Sequence, residues 1–303
     1  MNSNIKNHLI PALVLGFGIC LLSPPLMSEG VVKEGARLQL LSDTFKFTEG
    51  PAPDAEGNVY FTDQPNDRIM VWTVDGHLET FMQPCGRSNG LFFSRNGTLI
   101  ACADEKNELW SISVKNKEHQ VLVHDFKGKL LNGPNDAWVD PKGGIYFSDP
   151  FYKRPYWDRG DKEQDAECVY YLQPGGKSLN RAACDFKRPN GLIGTPNGKM
   201  LYVADIGDKK TYRYDIAEDG SLGNRQKFCD MGSDGMTLDQ EGNVYITGKG
   251  VTVFNPDGKQ IDHIEVNEGW TANVCFGGKQ RTTLFITASD SLYSVETRVN
   301  GAY

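Results

Sequence analysis

Thr48-Glu49-Gly50-Pro51 is the first of six copies of a short motif that recurs along the chain. The later copies are Ser88-Asn89-Gly90-Leu91, Pro134-Asn135-Asp136-Ala137, Pro189-Asn190-Gly191-Leu192, Ser233-Asp234-Gly235-Met236 and Ala272-Asn273-Val274-Cys275. Each copy has an oxygen-bearing side chain at its second position, and these positions lie 40, 46, 55, 44 and 39 residues apart. Six units of this length, rich in strand-forming and turn residues, predict a six-bladed β-propeller.

A second motif accompanies the first and ends 14 or 15 residues after the polar residue of each copy. Its versions are Tyr60-Phe61-Thr62-Asp63, Ala101-Cys102-Ala103-Asp104, Tyr146-Phe147-Ser148-Asp149, Tyr202-Val203-Ala204-Asp205, Tyr245-Ile246-Thr247-Gly248 and Phe285-Ile286-Thr287-Ala288. Because the repeat fills the chain, we expect residues 29–303 to form one all-β domain, although 303 residues would suffice for two. The sixth unit offers only three strands, so we expect the N-terminal segment Arg37–Ser42 to add the fourth and close the ring.

Residues 1–28 have the pattern of a secretory signal peptide. Lys6 precedes an apolar run from Leu9 to Leu22, and a polar segment follows it. We expect cleavage after Ser28 and a secreted or periplasmic protein; an uncleaved membrane anchor is the alternative. After cleavage no membrane association is expected, and the net charge of −7 gives no reason to expect nucleic acid as a partner.

Six cysteines lie outside the signal segment: Cys85, Cys102, Cys168, Cys184, Cys229 and Cys275. Export would permit disulfides, and Cys168 and Cys184 flank the turn Pro174-Gly175-Gly176, where they could face each other across a hairpin. Directly opposed strand cysteines make a strained bridge, however. We therefore expect free, buried thiols.

The geometry of a propeller brings the polar residues of the two motifs to one face. In a four-stranded antiparallel blade, the innermost strand begins and the second strand ends on the same side. Six residues would therefore surround one channel mouth: Glu49, Asn89, Asn135, Asn190, Asp234 and Asn273. Four more would end the second strands, one shell further out: Asp63, Asp104, Asp149 and Asp205. The long loop Pro150–Glu167 rises from this face with Tyr152, Tyr156 and Trp157, and we expect it to act as a lid.

Carboxylate and amide oxygens that point at one axis are the ligands that hard divalent cations take. Glu49 and Asp234 supply two negative charges, which would repel each other without a cation between them. Turn formation alone would explain a single Asn-Gly pair, but it does not explain one polar residue in the same register of every blade. The pattern therefore favours a metal site.

These motifs, in this order from about residue 47 to residue 296, resemble the gluconolactonase/regucalcin-like (SGL) hydrolases. The resemblance implies a six-bladed propeller with one divalent cation, usually Ca²⁺, with Mg²⁺, Mn²⁺ and Zn²⁺ as other candidates. The implied metal ligands are Glu49, Asn135, Asn190 and Asp234. Asn89 would lie beside the metal or touch the substrate. Relatives similar to mammalian regucalcin have an arginine where this chain has Gly133, so their substrate recognition is not expected to carry over unchanged.

The reaction that fits this ring is the hydrolysis of a sugar lactone, with the cation polarising the carbonyl. Asp234 is the first choice as general base, and the outer Asp205 and Asp149 are the second choices, which could also contact substrate. Arg87, two residues before Asn89, could orient substrate hydroxyls or a carboxylate. Two alternatives remain: an organophosphate or other ester as the substrate of the same site, and a non-catalytic propeller that binds a ligand. The oligomeric state stays open.

Overall fold

The computed structural model describes Met1 and residues 30–303, so the signal-peptide prediction lies outside the described residues. These residues form six four-stranded antiparallel sheets and one two-stranded hairpin. The N-terminal strand is β1 (Gln39–Ser42), and blade one consists of β2 (Thr48–Pro53), β3 (Val59–Asp63), β4 (Arg68–Trp72) and β5 (Leu78–Met82). Blade two consists of β6 (Ser88–Phe93), β7 (Thr98–Ala103), β8 (Glu108–Ser113) and β9 (His119–Val123), and the hairpin of β10 (Asp125–Phe126) and β11 (Lys129–Leu130) follows it; blade three consists of β12 (Ala137–Val139), β13 (Ile145–Asp149), β14 (Cys168–Leu172) and β15 (Leu179–Ala183). Blade four consists of β16 (Pro189–Gly194), β17 (Met200–Asp205), β18 (Lys210–Ile216) and β19 (Leu222–Cys229); blade five of β20 (Met236–Leu238), β21 (Val244–Gly248), β22 (Gly250–Phe254) and β23 (Gln260–Ile264); and blade six contains β24 (Thr271–Gly277), β25 (Thr283–Ala288) and β26 (Ser291–Glu296). Helical turns in the described part are 3-10 segments at Gln64–Asn66, Asp104–Lys106 and Pro174–Gly176. None of its helices is long and apolar enough to cross a membrane.

The ring is closed by the N-terminal strand, as predicted. Strand β1 is the outermost strand of blade six and pairs antiparallel with β26, with Leu40 opposite Tyr293. The innermost strands contact one another in the cyclic order β2, β6, β12, β16, β20, β24 and back to β2. The six-bladed β-propeller fold is therefore confirmed.

Glycine follows the polar residue in four motif copies because the neighbouring blade passes very close at that point. A Cβ atom on Gly50 would lie 2.3 Å from the Asn89 carbonyl oxygen, and one on Gly90 would lie 2.5 Å from the Asn135 carbonyl oxygen. Gly50 also has a φ of +49°, which favours glycine. Blade three has Asp136 at this position, and its Oδ2 accepts a hydrogen bond from the Leu192 amide at 3.2 Å.

Aromatic residues of the second strands fill the space between blades. Tyr146, Tyr202 and Tyr245 are 0%, 2% and 0% exposed. Both faces of each sheet are covered by neighbouring blades, so these strands have apolar residues on both faces and no simple alternation. Opposite the ring of polar residues, Tyr303 enters the channel. Its hydroxyl accepts a bond from Trp138 Nε1 at 3.1 Å and donates to the carbonyl oxygen of Gly194.

The prediction of six free thiols is wrong for one pair. Cys168 and Cys184 form a disulfide with a Cα–Cα distance of 4.2 Å. The last regular pair of β14 and β15 is Val169 opposite Ala183, and the register shifts beside it. Cys168 and Cys184 are the next pair beyond Val169 and Ala183, so they are directly opposed, as the prediction assumed, and they form the bridge in that position. The other four thiols are free and buried.

Candidate functional site

The six polar residues of the first motif form a ring at one channel mouth, the polar ring. Its members are Glu49, Asn89, Asn135, Asn190, Asp234 and Asn273, all buried except the partly exposed Asp234. Neighbouring blades are connected by Asn273 Nδ2, which donates to Glu49 Oε2 at 3.4 Å, and by Asn190 Nδ2, which donates to Asp234 Oδ1 at 2.6 Å. The four predicted ligands therefore belong to one ring at one end of the channel.

The carboxyl groups of this region are held in an environment that opposes their ionisation. Burial, followed by the charge of Asp234, raises the pKa of the Glu49 carboxyl well above its ordinary value. Burial also raises the pKa of Asp234 to about 6, although the Trp270 indole stabilises its ionised form. Burial raises the pKa of Asp136 to about 7. Positive charge placed among these groups would favour their ionised forms.

One oxygen of the polar ring lacks a partner. Asn190 Oδ1 is buried and accepts no hydrogen bond, while Nδ2 of the same amide donates to Asp234 and to the Tyr152 hydroxyl at 3.0 Å. A buried acceptor without a partner carries an uncompensated desolvation cost, and such an oxygen beside two carboxylates fits a hard cation. The described residues hold no group of three or more His, Cys, Asp or Glu side chains suited to a metal, so a site here would depend on the asparagine oxygens.

The aspartates that end the second strands lie outside the polar ring and bind backbone amides. Asp149 accepts bonds from the amides of Asn132 and Gly133 at 2.9 and 2.7 Å. Asp205 accepts bonds from the amides of Lys187 and Arg188, both at 2.9 Å. Each carboxylate therefore fixes the segment that leads into the innermost strand of its own blade.

The predicted lid loop crosses to blade two and is anchored on Asp104. Arg154 Nε and the Tyr156 hydroxyl both donate to Asp104 Oδ2 at 2.7 Å. The Trp157 indole donates to the Asp104 carbonyl oxygen at 2.8 Å. This anchoring places Tyr152, near the start of the loop, against Asn190 of the polar ring.

Arg87 lies at the edge of this loop. Its guanidinium carbon is 4.5 Å from the centroid of the Tyr156 ring, and its Nη1 donates to the Pro65 carbonyl oxygen at 3.0 Å. Its Nε is buried without a hydrogen bond and forms an ion pair with Glu105 Oε1 at 3.8 Å.

Trp270 is a site residue that the sequence reasoning missed. Its indole N–H donates to Asp234 Oδ2, and the side chain is 42% exposed. It lies three residues before Asn273 of the polar ring, outside both repeating motifs. In the sequence, the signal for Trp270 as a site residue was an aromatic residue just before a motif copy.

The fold and this site define a gluconolactonase-like propeller. Residues 47–290 match the family described as "SMP-30/Gluconolactonase/LRE-like region", and the chain belongs to this family of lactone hydrolases, as the motifs predicted. The chain is similar to a gluconolactonase of Zymomonas mobilis, 28% identical over 302 residues that cover 90% of this chain and 85% of the relative. It is similar to a 6-deoxy-6-sulfogluconolactonase of Pseudomonas putida, 31% identical over 239 residues that cover 73% and 75%. A solved gluconolactonase structure from Xanthomonas campestris matches with a TM-score of 0.81 and 29% identity, covering 88% of this chain and 91% of that one.

Proposed function

We propose that the protein hydrolyses a sugar lactone at the polar ring, with one divalent cation, Ca²⁺ first, held by Glu49, Asn135, Asn190 and Asp234. The observation that carries the metal proposal is the buried, unpartnered Asn190 Oδ1 in the same ring as two carboxyl groups of raised pKa, Glu49 and Asp234. When bound, the cation would act as a Lewis acid on the lactone carbonyl. A small-molecule lactone is the expected partner, in keeping with the family.

Asp234 is the proposed general base, because it is the partly exposed carboxylate of the polar ring. Its two oxygens are oriented by Asn190 and Trp270, so the carboxylate is held in one position at the channel mouth. Without the cation, the pKa of Asp234 is raised to about 6; a bound cation would favour the ionised carboxylate, which is the form that accepts a proton from water. The reverse reaction, in which the hydroxy acid closes to the lactone again, is prevented once the carboxylic acid product ionises.

Asn89 and Arg87 are the proposed substrate contacts on the blade-two side. The Asn89 side chain is buried at the mouth, and Arg87, whose side chain is 26% exposed, lies two residues before it in sequence. We assign Asp149 and Asp205 a structural role in holding the backbone and not a role in substrate binding, because their oxygens already accept amide N–H groups.

The test is pH-stat hydrolysis of glucono-1,5-lactone with Ca²⁺, with EDTA, and with Asp234→Asn, after subtraction of spontaneous hydrolysis. Asp230→Asn is the matched control, since Asp230 lies in the same region of the chain but its side chain is 69% exposed and pairs with Lys227. Loss of activity with EDTA and with Asp234→Asn, but not with Asp230→Asn, is expected. Hydrolysis of a phosphotriester alone would favour the organophosphate alternative. No turnover of either substrate would favour a non-catalytic propeller.

We also propose that the protein is exported. The support is the pattern of residues 1–28 together with the Cys168–Cys184 disulfide, which is typical of oxidising compartments. N-terminal sequencing of protein from the periplasmic or secreted fraction should begin at Glu29. An intact N-terminus in the membrane fraction would instead indicate an uncleaved anchor.

A further inference from the structure

Two guanidinium groups lie against the tyrosine that contacts the polar ring. The guanidinium carbons of Arg154 and Arg188 are 5.4 and 5.0 Å from the centroid of the Tyr152 ring. The hydroxyl of that ring is 3.0 Å from Asn190 Nδ2. Both positive charges therefore lie about one tyrosine ring away from the amide proposed to bind the cation.

Arg154 is held there by a buried carboxylate. Its Nε donates to Asp104 Oδ2 at 2.7 Å, and the side chains of Arg154 and Asp104 are 23% and 3% exposed. The bond to Asp104 uses Nε, and the terminal nitrogens of the guanidinium group form no hydrogen bond with the described residues. Because the anchor lies in blade two, Arg154 is fixed relative to the ring even though it belongs to a long loop.

Arg188 has terminal nitrogens that the described residues leave unused. Its Nε is buried and forms an ion pair with Glu167 Oε2 at 3.7 Å, a distance too long for a hydrogen bond. The side chain is 44% exposed, and its terminal nitrogens form no hydrogen bond with the described residues. The outer end of the guanidinium group is therefore the part that a solute can reach.

We propose that Arg154 and Arg188 form an anion subsite, and that the substrate is a sugar lactone with a second, anionic group at its other end. This inference rests on the proposed lactonase function. Carboxylate, phosphate and sulfonate groups share the oxygen geometry that guanidinium groups bind through paired N–H donors. Tyr152 separates the subsite from the polar ring, so the anionic group and the reacting carbonyl would occupy different ends of the same substrate.

The experiment compares kcat/KM for glucono-1,5-lactone with its analogues that carry a carboxylate, a phosphate or a sulfonate at carbon 6. The wild type is expected to prefer at least one anionic lactone by about 10- to 100-fold, the range for a charge-assisted hydrogen bond. Arg188→Gln should remove most of this preference by raising KM for the anionic lactone more than KM for the neutral one, whereas Arg188→Lys should retain part of it. Lys187→Gln is the matched control. It removes the positive charge next to Arg188 in sequence, but the Nζ of Lys187 binds Asp208 at 2.5 Å and is not part of the subsite.

The possible outcomes separate the two proposals. Equal kcat/KM for neutral and all anionic lactones would overturn the anion subsite and leave the lactonase proposal standing. If no lactone is hydrolysed, the lactonase proposal fails, and the subsite is then judged by calorimetric binding of 6-phosphogluconate to the calcium-loaded protein. Binding that Arg188→Gln weakens about tenfold or more would still support the subsite, and binding that is absent or unchanged by the substitution would refute it.

Discussion

Asn190→Ala should remove most of the stabilisation that calcium gives to the protein, while changing the calcium-free protein much less. At a calcium concentration 100 times Kd, binding stabilises the folded state by about 2.7 kcal/mol. For a domain of this size, 1 kcal/mol corresponds to about 2 °C in Tm, so the wild type should gain about 5 °C. If losing the Asn190 oxygen weakens binding about 100-fold, the same concentration adds only about 0.4 kcal/mol, or less than 1 °C.

In the absence of calcium, the same substitution has opposing effects. It removes two hydrogen bonds of Asn190 Nδ2, to Asp234 and to Tyr152, which together contribute roughly 2–4 kcal/mol. It also removes the buried Oδ1, whose unpartnered state costs roughly 1–3 kcal/mol. The free energy of unfolding of the calcium-free protein should therefore fall by about 1 kcal/mol, which corresponds to about 2 °C in Tm.

Scanning calorimetry in EDTA and in CaCl₂ measures both quantities. Asn243→Ala is the matched control, because Asn243 is 5% exposed and its Nδ2 donates to Asp239 Oδ2 at 2.8 Å, outside the polar ring. That variant should have a lower Tm in EDTA and the full calcium-dependent shift. A calcium shift of about 5 °C that persists in Asn190→Ala would refute the reasoning, and so would a wild type that calcium does not stabilise.

Three further predictions follow from the site and the disulfide. Because Glu49 and Asp234 have raised pKa values, with Asp234 at about 6, protons compete with a cation below that pH; calorimetric calcium affinity should fall at least about tenfold between pH 7.5 and pH 5, and a constant affinity would contradict this. Trp270→Phe keeps an aromatic ring but removes the N–H bond that favours ionised Asp234, so the acidic limb of the pH–kcat/KM profile should move to higher pH; an unchanged limb would mean that this bond does not act on the base. Cys168→Ser with Cys184→Ser opens a link with a sequence separation of 16 and should lower the free energy of unfolding by about 3 kcal/mol in a urea titration, with unchanged kcat; a stability equal to the wild type would show that the link contributes nothing.

The ring architecture could be predicted from the sequence because it depends on local signals that repeat. Four copies have glycine where the neighbouring blade passes closely, as at Gly50 and Gly90. The constant offset of 14 or 15 residues between the motifs reflects antiparallel pairing of the first two strands in each blade, as between Thr48 and Asp63. The closing strand was also predictable, because one unit lacked a strand and one spare strand preceded the repeat.

Contacts between distant loops could not be predicted in the same way. Trp270 reaches Asp234 across 36 positions, and Tyr152 reaches Asn190 across 38, and neither contact belongs to the repeating register. Both depend on loop conformations that the strand pattern does not determine. The Arg188 position, in contrast, carried a signal that was overlooked: it lies two residues before Asn190, as Arg87 lies two residues before Asn89.

Register alone does not distinguish a functional ring from a structural one, because polar residues recur at a fixed position in both motifs, in six copies of the first and as aspartate in four copies of the second. Their hydrogen bonding does. Asp149 and Asp205 accept backbone amides with both carboxylate oxygens, so the fold already uses these acceptors, although burial raises the pKa of Asp149 to about 7. In the polar ring, by contrast, Asn190 Oδ1 is buried without a partner. A protein retains such uncompensated groups at a cost in stability, and binding at that position is the physical reason that accounts for the cost.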